Sequence, residues 1–214
     1  MHVLITGANR GIGAALAAAY RAKGARVTAT ARDGSTGALL DVSSTKSHTA
    51  LAHALDGTPV DLLICNAGVY LDKTENLADG YDAQMWAESF AVNVTGVFLS
   101  VQSLLPNLQA ATAPKIAILS SQMASHERAP GGSYIYRSSK AAALNLGRNL
   151  ARDLQALGIS VGIYHPGWVR TDMGGENADI SVDMAVTGLL DRFEALSLDT
   201  SGCFETWDGR PHPY

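Results

Sequence analysis

The feature that most constrains this chain stands at its beginning. A short apolar stretch, MHVLI, runs directly into Thr6-Gly7-Ala8-Asn9-Arg10-Gly11-Ile12-Gly13, and that turn opens an Ala/Leu-rich segment, 12–23. Strand, glycine turn and helix in that order make a cradle for phosphate. Glycines let the backbone approach a pyrophosphate closely, and the helix behind them offers free N–H groups and partial positive charge. The spacing is Gly-x-x-x-Gly-x-Gly rather than the commoner G-x-G-x-x-G, so the strand–turn–helix context carries the reading. Gly7, Asn9, Arg10, Gly11, Ile12 and Gly13 are its candidate contacts.

The rest of the chain repeats this alternation. Strands are expected over 2–6, 26–31, 38–42, 60–65, 115–120, 159–164 and 202–207. Helices are expected over 12–23, 44–55, 83–109, 134–157 and 182–196, with Ser43 or Ser44 as cap of the second and a bend at Gly96 in the third. Strands alternating with helices predict an α/β fold, a Rossmann-type doubly wound parallel sheet covered on both faces. With 214 residues and no linker or repeat, one domain over 1–214 is expected. One connection is too short: about ten residues separate Ala31 from Asp41, and a parallel crossover usually takes a dozen or more. The helix between strands two and three is expected to shrink to a turn.

Composition excludes several functions. The net charge of -4 gives no basic footprint for nucleic acid or an anionic membrane. No run of about 18 apolar residues predicts a membrane span. Two cysteines, Cys65 and Cys203, in no Cys/His cluster, predict no metal site. The first apolar stretch meets a glycine turn rather than a cleavage site, so a cytoplasmic protein is expected.

Two further groups carry chemistry. Tyr136 and Lys140 share a helix face at i and i+4. A cation there would lower the phenol pKa and make Tyr136 a usable proton donor and acceptor. Upstream, one predicted strand ends in Ser120-Ser121, at the strand edge where α/β sheets bind ligands. At the end of the second strand, Arg32 stands beside Asp33. Arg32 with Arg10 suits the 2′-phosphate of NADP, whereas Asp33 suits a free ribose 2′-OH. NADPH is expected to be preferred. A stripe of small residues, Ser139, Ala143, Gly147 and Ala151, predicts either helix pairing in a homodimer or homotetramer or packing on the chain's own sheet. Arg128, Tyr134, Trp168, Met173 and Met184 are candidates for a substrate pocket.

In order along the chain, these motifs resemble the short-chain dehydrogenase/reductase family, and within it a compact C-factor-like subgroup. Thr6-Gly7 through Gly13 resembles its cofactor turn, Asp41-Val42 the pair bordering the adenine, and Asn66-Ala67-Gly68 its NAG motif. Asn93, Ser121, Tyr136 and Lys140 resemble the active-site set, and Pro166-Gly167-Trp168-Val169 with Thr171 the segment over the nicotinamide. The resemblance implies hydride transfer between NADP(H) and a small carbonyl or alcohol. Tyr136 would be the proton donor and Ser121 would steady the substrate oxygen. Lys140 would lower the Tyr136 pKa and bind the ribose, Asn93 would hold a relay water, and Val169 would meet the carboxamide. The Ser121-to-Tyr136 spacing exceeds the commonest in the family, and Met123 stands where that spacing would place the serine, so Ser120 stays in contention. The C-factor likeness also raises a non-enzymatic, dinucleotide-sensing signalling protein. A sugar-nucleotide epimerase would need a C-terminal domain, and only about 45 residues follow Val169.

Overall fold

The computed structural model describes residues 1–127 and 129–214, so the candidate Arg128 lies outside the described residues. The apolar strands assemble into one parallel seven-stranded sheet in the order β3-β2-β1-β4-β5-β6-β7. They are β1 (His2–Ile5), β2 (Arg26–Ala31), β3 (Ala38–Leu39), β4 (Leu62–Cys65), β5 (Lys115–Leu119), β6 (Ser160–His165) and β7 (Phe204–Thr206). The helices are α1 (Gly11–Ala22), α2 (Thr45–Ala54), α3 (Ala83–Phe90), α4 (Gly96–Gln109), α5 (Tyr134–Leu154) and α6 (Val182–Ala195).

Successive strand side chains point to opposite faces, and that period divides the core in two. Val3, Ile5, Leu62, Ile64 and Ala117 meet Leu16 and Ala17 of α1 and Leu189 and Phe193 of α6. Leu4, Leu63, Ile116, Ile118 and Ile163 meet Leu51 of α2, Val101 and Leu104 of α4 and Leu144 of α5. The chain leaves β1 toward β2 on one side and pairs it with β4 on the other, so the strand order reverses there. Above that reversal the carboxyl ends of the strands diverge and open a crevice.

The connection between β2 and β3 is a turn, as its length requires, with Gly34 and Gly37 at positive φ. The strand over 38–42 shrinks to two residues paired with Thr30 and Ala31. Ser44, not Ser43, caps α2 by accepting from the Ser47 N–H.

One expectation is corrected and one pair of alternatives is decided. The long helix does not owe its irregularity to Gly96. Ala91–Thr95, between α3 and α4, is a π-helical turn in which the Gly96 N–H reaches the Ala91 carbonyl. Gly96 serves a different purpose, because a Cβ there would stand 2.9 Å from Val42. The small-residue stripe faces the chain's own sheet. Ser139, Ala143, Gly147 and Ala151 are all buried, and a Cβ on Gly147 would press on Ile163 and Ile118. The 83–109 helix is, by length and composition, apolar enough to cross a membrane, yet Val97, Val101, Leu104 and Leu108 lie in the core.

Candidate active site

The glycine turn is held from the side by the segment after β4. The Thr6 hydroxyl accepts from the Asn66 and Ala67 N–H groups at 3.1 and 3.0 Å. The Asn66 Nδ2 donates to the Thr6 and Gly7 carbonyls at 2.9 and 2.8 Å. This explains the glycine spacing. Gly7 has φ 65°, and a Cβ on it would stand 2.8 Å from Ala67 Cα. A Cβ on Gly13 would collide with the Asn66 amide and the Gly7 carbonyl. Asn66 therefore ties two backbone segments together with both its amide protons.

A cleft of about 460 Å³ lies over this turn. From the expected cofactor residues it gathers Gly7 and Asn9 through Gly13, then Arg32, Asp41 and Val42, then Asn66, Ala67 and Gly68, and finally Tyr136, Lys140, Pro166 and Thr171. Gly167 and Val169 do not line it. Val169 is buried and bridges Ile180, and Gly167 packs against Ile180 and the Trp207 ring. Of the described substrate-pocket candidates only Met173 lines it; Trp168 Nε1 instead donates to the Gly174 carbonyl, and Met184 is exposed. Tyr134 pairs edge-on with Tyr81 away from the cleft.

At the adenosine end Asp33 and Arg32 separate. Asp33 accepts from the N–H and hydroxyl of Ser35, which hold its carboxyl below the usual range, and it is not part of the cleft wall. Arg32 is part of that wall. Arg10 also faces it but is paired with Asp172 at 3.0 Å, both side chains well exposed.

At the other end the expected active-site groups converge. The Ser120 hydroxyl donates to the Lys140 carbonyl, which spends it within the scaffold. The Ser121 hydroxyl, by contrast, acts on the Tyr136 phenol and draws its pKa down. Ser121 is the serine that acts on the phenol, whereas Ser120 is the one that lines the cleft wall. Lys140 is buried, donates from Nζ to the Leu119 carbonyl at 2.9 Å, and lies 5.7 Å from the Tyr136 ring centroid. Gly68 sits between Asn93 and Lys140, where a Cβ would be 3.3 Å from Asn93 Oδ1 and 3.4 Å from Lys140 Nζ.

One electrostatic expectation fails. Lys140 does not lower the Tyr136 pKa here. Burial pushes the phenol up to about 12 against the pull of Ser121, with Tyr70 and Asp72 adding to the rise. Burial likewise pulls Lys140 down to about 8. Desolvation disfavours the charged form of each.

The Asn93 side chain is fully engaged within the protein. Nδ2 donates to the Val69 carbonyl and the Ser139 hydroxyl at 2.9 Å each, and Oδ1 accepts from the Val69 N–H at 2.8 Å. Ser139 in turn donates to the Tyr136 carbonyl. The residue read as part of a pairing stripe thus links the π-helical turn to the tyrosine.

Two residues around Tyr136 escaped the sequence reading. Tyr70 stacks on the Tyr136 ring with centroids 4.1 Å apart and planes 18° from parallel. Asp72, buried to 1% exposure, accepts from the Ile135 and Tyr136 N–H groups. Both sit in an irregular segment after β4, where no periodicity or motif marks them.

Residues 1–180 match the family model for short chain dehydrogenase. The chain is 36% identical over 157 residues to C-signal of Myxococcus xanthus, covering 73% of this chain and 93% of that one. It is 33% identical over 224 residues to 1-hydroxy-2-glutathionyl-2-methyl-3-butene dehydrogenase of Rhodococcus sp. (strain AD45), covering 97% and 96%. An NADPH-bound carbonyl reductase from chicken fatty liver superposes with a TM-score of 0.90 at 30% identity, covering 100% of this chain and 98% of that one. The chain belongs to the short-chain dehydrogenase family of oxidoreductases.

Proposed function

We propose that this chain is an NADP(H)-dependent carbonyl reductase or alcohol dehydrogenase using Ser121, Tyr136 and Lys140. The observation that carries the reading is the convergence of Ser121 and Lys140 on Tyr136 at one end of a cleft whose other end is a glycine-lined helix N-terminus. A dinucleotide suits that cleft, because Gly11, Ile12 and Gly13 bring the start of α1, which has no side-chain cap, to the cleft wall. Gly11, Ile12 and Gly13 would hold the pyrophosphate, Arg32 the 2′-phosphate, Asp41 and Val42 the adenine, and Lys140 the nicotinamide ribose. Pro166 and Thr171 would close over the nicotinamide. The bound cofactor supplies the hydride.

The chain's residues supply the proton and its placement. Ser121 orients the substrate oxygen beside the phenol. Tyr136, held protonated at neutral pH by burial, gives its proton to that oxygen as it gains charge. Asn93 fixes the backbone around the tyrosine through Ser139. NADPH is favoured over NADH because Arg32 faces the cleft while Asp33 is spent on Ser35.

The reading places the protein in the cytoplasm, acting on a small molecule, with no nucleic-acid or membrane partner. It also includes a homodimer or homotetramer. The small-residue stripe no longer supports that; the exposed Phe98 on the outer face of α4 does. NADPH oxidation against a panel of aldehydes, ketones and quinones tests the activity, and sedimentation at micromolar concentration tests the assembly. The likeness to C-signal motivates a second reading, dinucleotide sensing without turnover. Tight NADPH binding with no oxidation across the whole panel would favour it.

A further inference from the structure

The first turn of α5 carries the proton donor of the proposed reaction, yet nothing local caps it. Ser133, the residue before the helix, has left-handed dihedrals of φ 48° and ψ 42°, and its side chain makes no cap hydrogen bond. Its hydroxyl is taken by the Tyr70 hydroxyl. The free N–H groups are satisfied from 63 and 64 residues away. Asp72 Oδ2 accepts from the Ile135 N–H at 2.8 Å, and both carboxylate oxygens face the Tyr136 N–H at 3.2 and 3.3 Å. Asp72 is 1% exposed, and among the described residues no ion pair reaches it. Its countercharge is the helix N-terminus itself. The neighbouring Lys73 reaches across to the Met173 carbonyl instead.

We propose that Asp72 is a positioning residue for Tyr136: its buried carboxylate anchors the tyrosine's own backbone and sets the electrostatic field in which the phenol gives up its proton. The inference rests on the reading of Tyr136 as proton donor. A structural cap would need only an acceptor. This one is a full negative charge, placed on the backbone of the reacting residue and out of water. It shares a short segment with Tyr70, which covers one face of the phenol ring. The segment therefore grips Tyr136 by backbone and ring together, leaving Ser121 to approach the oxygen. Among the described residues, the titratable groups facing the phenol are Tyr70 and Asp72 from the segment after β4 and Lys140 from its own helix. Asp72 is the only carboxylate among them. A carboxylate close to a phenol disfavours the phenolate, so Asp72 adds to the rise that burial gives the Tyr136 pKa.

Asp72→Asn keeps the shape and an acceptor oxygen but removes the charge, whereas Asp72→Ala removes both. The test uses the full chain loaded with NADPH and a carbonyl that the parent reduces. It compares the pH dependence of hydride transfer, NADPH affinity by fluorescence, and amide exchange at Ile135 and Tyr136. In Asp72→Asn the alkaline limb of the rate profile moves to lower pH by about one unit, since the group that opposed phenolate is gone. In Asp72→Ala the turnover rate falls roughly tenfold or more and the Ile135 and Tyr136 amides exchange faster. NADPH affinity stays unchanged in both, because Asp72 lies outside the cleft wall. An alkaline limb at the parent's pH in a folded Asp72→Asn overturns the proposal. So does loss of the fold in both variants, which would leave Asp72 a structural cap. Tyr136→Phe, run alongside, separates the two ideas: if it still turns over, the proton-donor reading fails first.

Discussion

The two ends of the cleft are built in different ways. The phosphate end is made of backbone. Its shape follows from glycines that leave no room for a Cβ and from Asn66, which ties Thr6 and Gly7 to the segment after β4. The proton-donor end is made of side chains brought from far apart. Asp72 reaches Tyr136, Asn93 reaches Ser139 across 46 residues, and Ser121 meets the phenol from the segment after β5. A backbone site tolerates no added atom but needs no particular functional group. A side-chain site tolerates small changes of shape but fails when one group loses its chemistry. Substitutions at the two ends should therefore affect different measurements.

A large effect is expected at the phosphate end. Gly13→Ala forces a methyl against the Asn66 amide and the Gly7 carbonyl. Overpacking of this kind costs about 1–3 kcal/mol of stability. It should also weaken NADPH binding roughly tenfold or more, because the turn must open to admit the methyl. Thermal unfolding and fluorescence titration would show both. If Gly13→Ala binds NADPH normally, the cradle is not built as described.

Next comes cofactor choice. Arg32→Ala removes a charge-assisted contact of about 1.5–3 kcal/mol, so NADPH should weaken by roughly ten- to a hundredfold while NADH changes little. Equal weakening of both cofactors, measured as kcat/KM, would remove Arg32 as the selector.

How much of this was legible in the sequence follows from the same contrast. The strands, the helices and the glycine turn announce themselves through local periodicity and through glycines in fixed order. The missing helix after β2 could be deduced from chain length alone. The side-chain end was only half legible. Tyr136 and Lys140 share a helix face, but nothing local shows that burial shifts both. Ser139 looked like part of a pairing surface because its four-residue spacing is the same for a sheet-facing stripe. Gly96 looked like a kink because glycine often marks one; its actual task, approach to Val42, depends on a residue 54 positions away (96 minus 42). Asp72 carried no signal, since it lies 63 residues before the first amide it caps.

A smaller effect concerns pH and lies outside both ends. His165 closes β6 with its ring buried and its Nδ1 without a partner among the described residues. Burial, with His212 nearby, lowers its pKa from 6.5 to about 4. Below about pH 6.5 the unfolded chain takes up a proton that the folded chain refuses until about pH 4. Stability therefore falls as pH drops through that window, by up to about 3 kcal/mol. His165→Phe should flatten the slope between pH 6.5 and 4.5 in urea titrations. An unchanged slope would assign the acid sensitivity to other groups.

The smallest effect is expected at Asp33, whose carboxylate serves only its own turn through Ser35. Asp33→Ala should leave kcat/KM for both cofactors within about twofold. A large gain for NADPH would show that Asp33 opposes the phosphate after all.

The central claim is that Tyr136 gives the proton that accompanies hydride transfer. Single-turnover oxidation of bound NADPH by a reducible carbonyl, followed by stopped flow in the parent and in Tyr136→Phe, tests it most directly. Phenylalanine keeps the ring stacked on Tyr70 and removes only the hydroxyl. The predicted result is a fall in the transfer rate of roughly a hundred- to ten-thousandfold, with NADPH affinity unchanged. A Tyr136→Phe rate within about tenfold of the parent, below what a lost general acid produces, would contradict it.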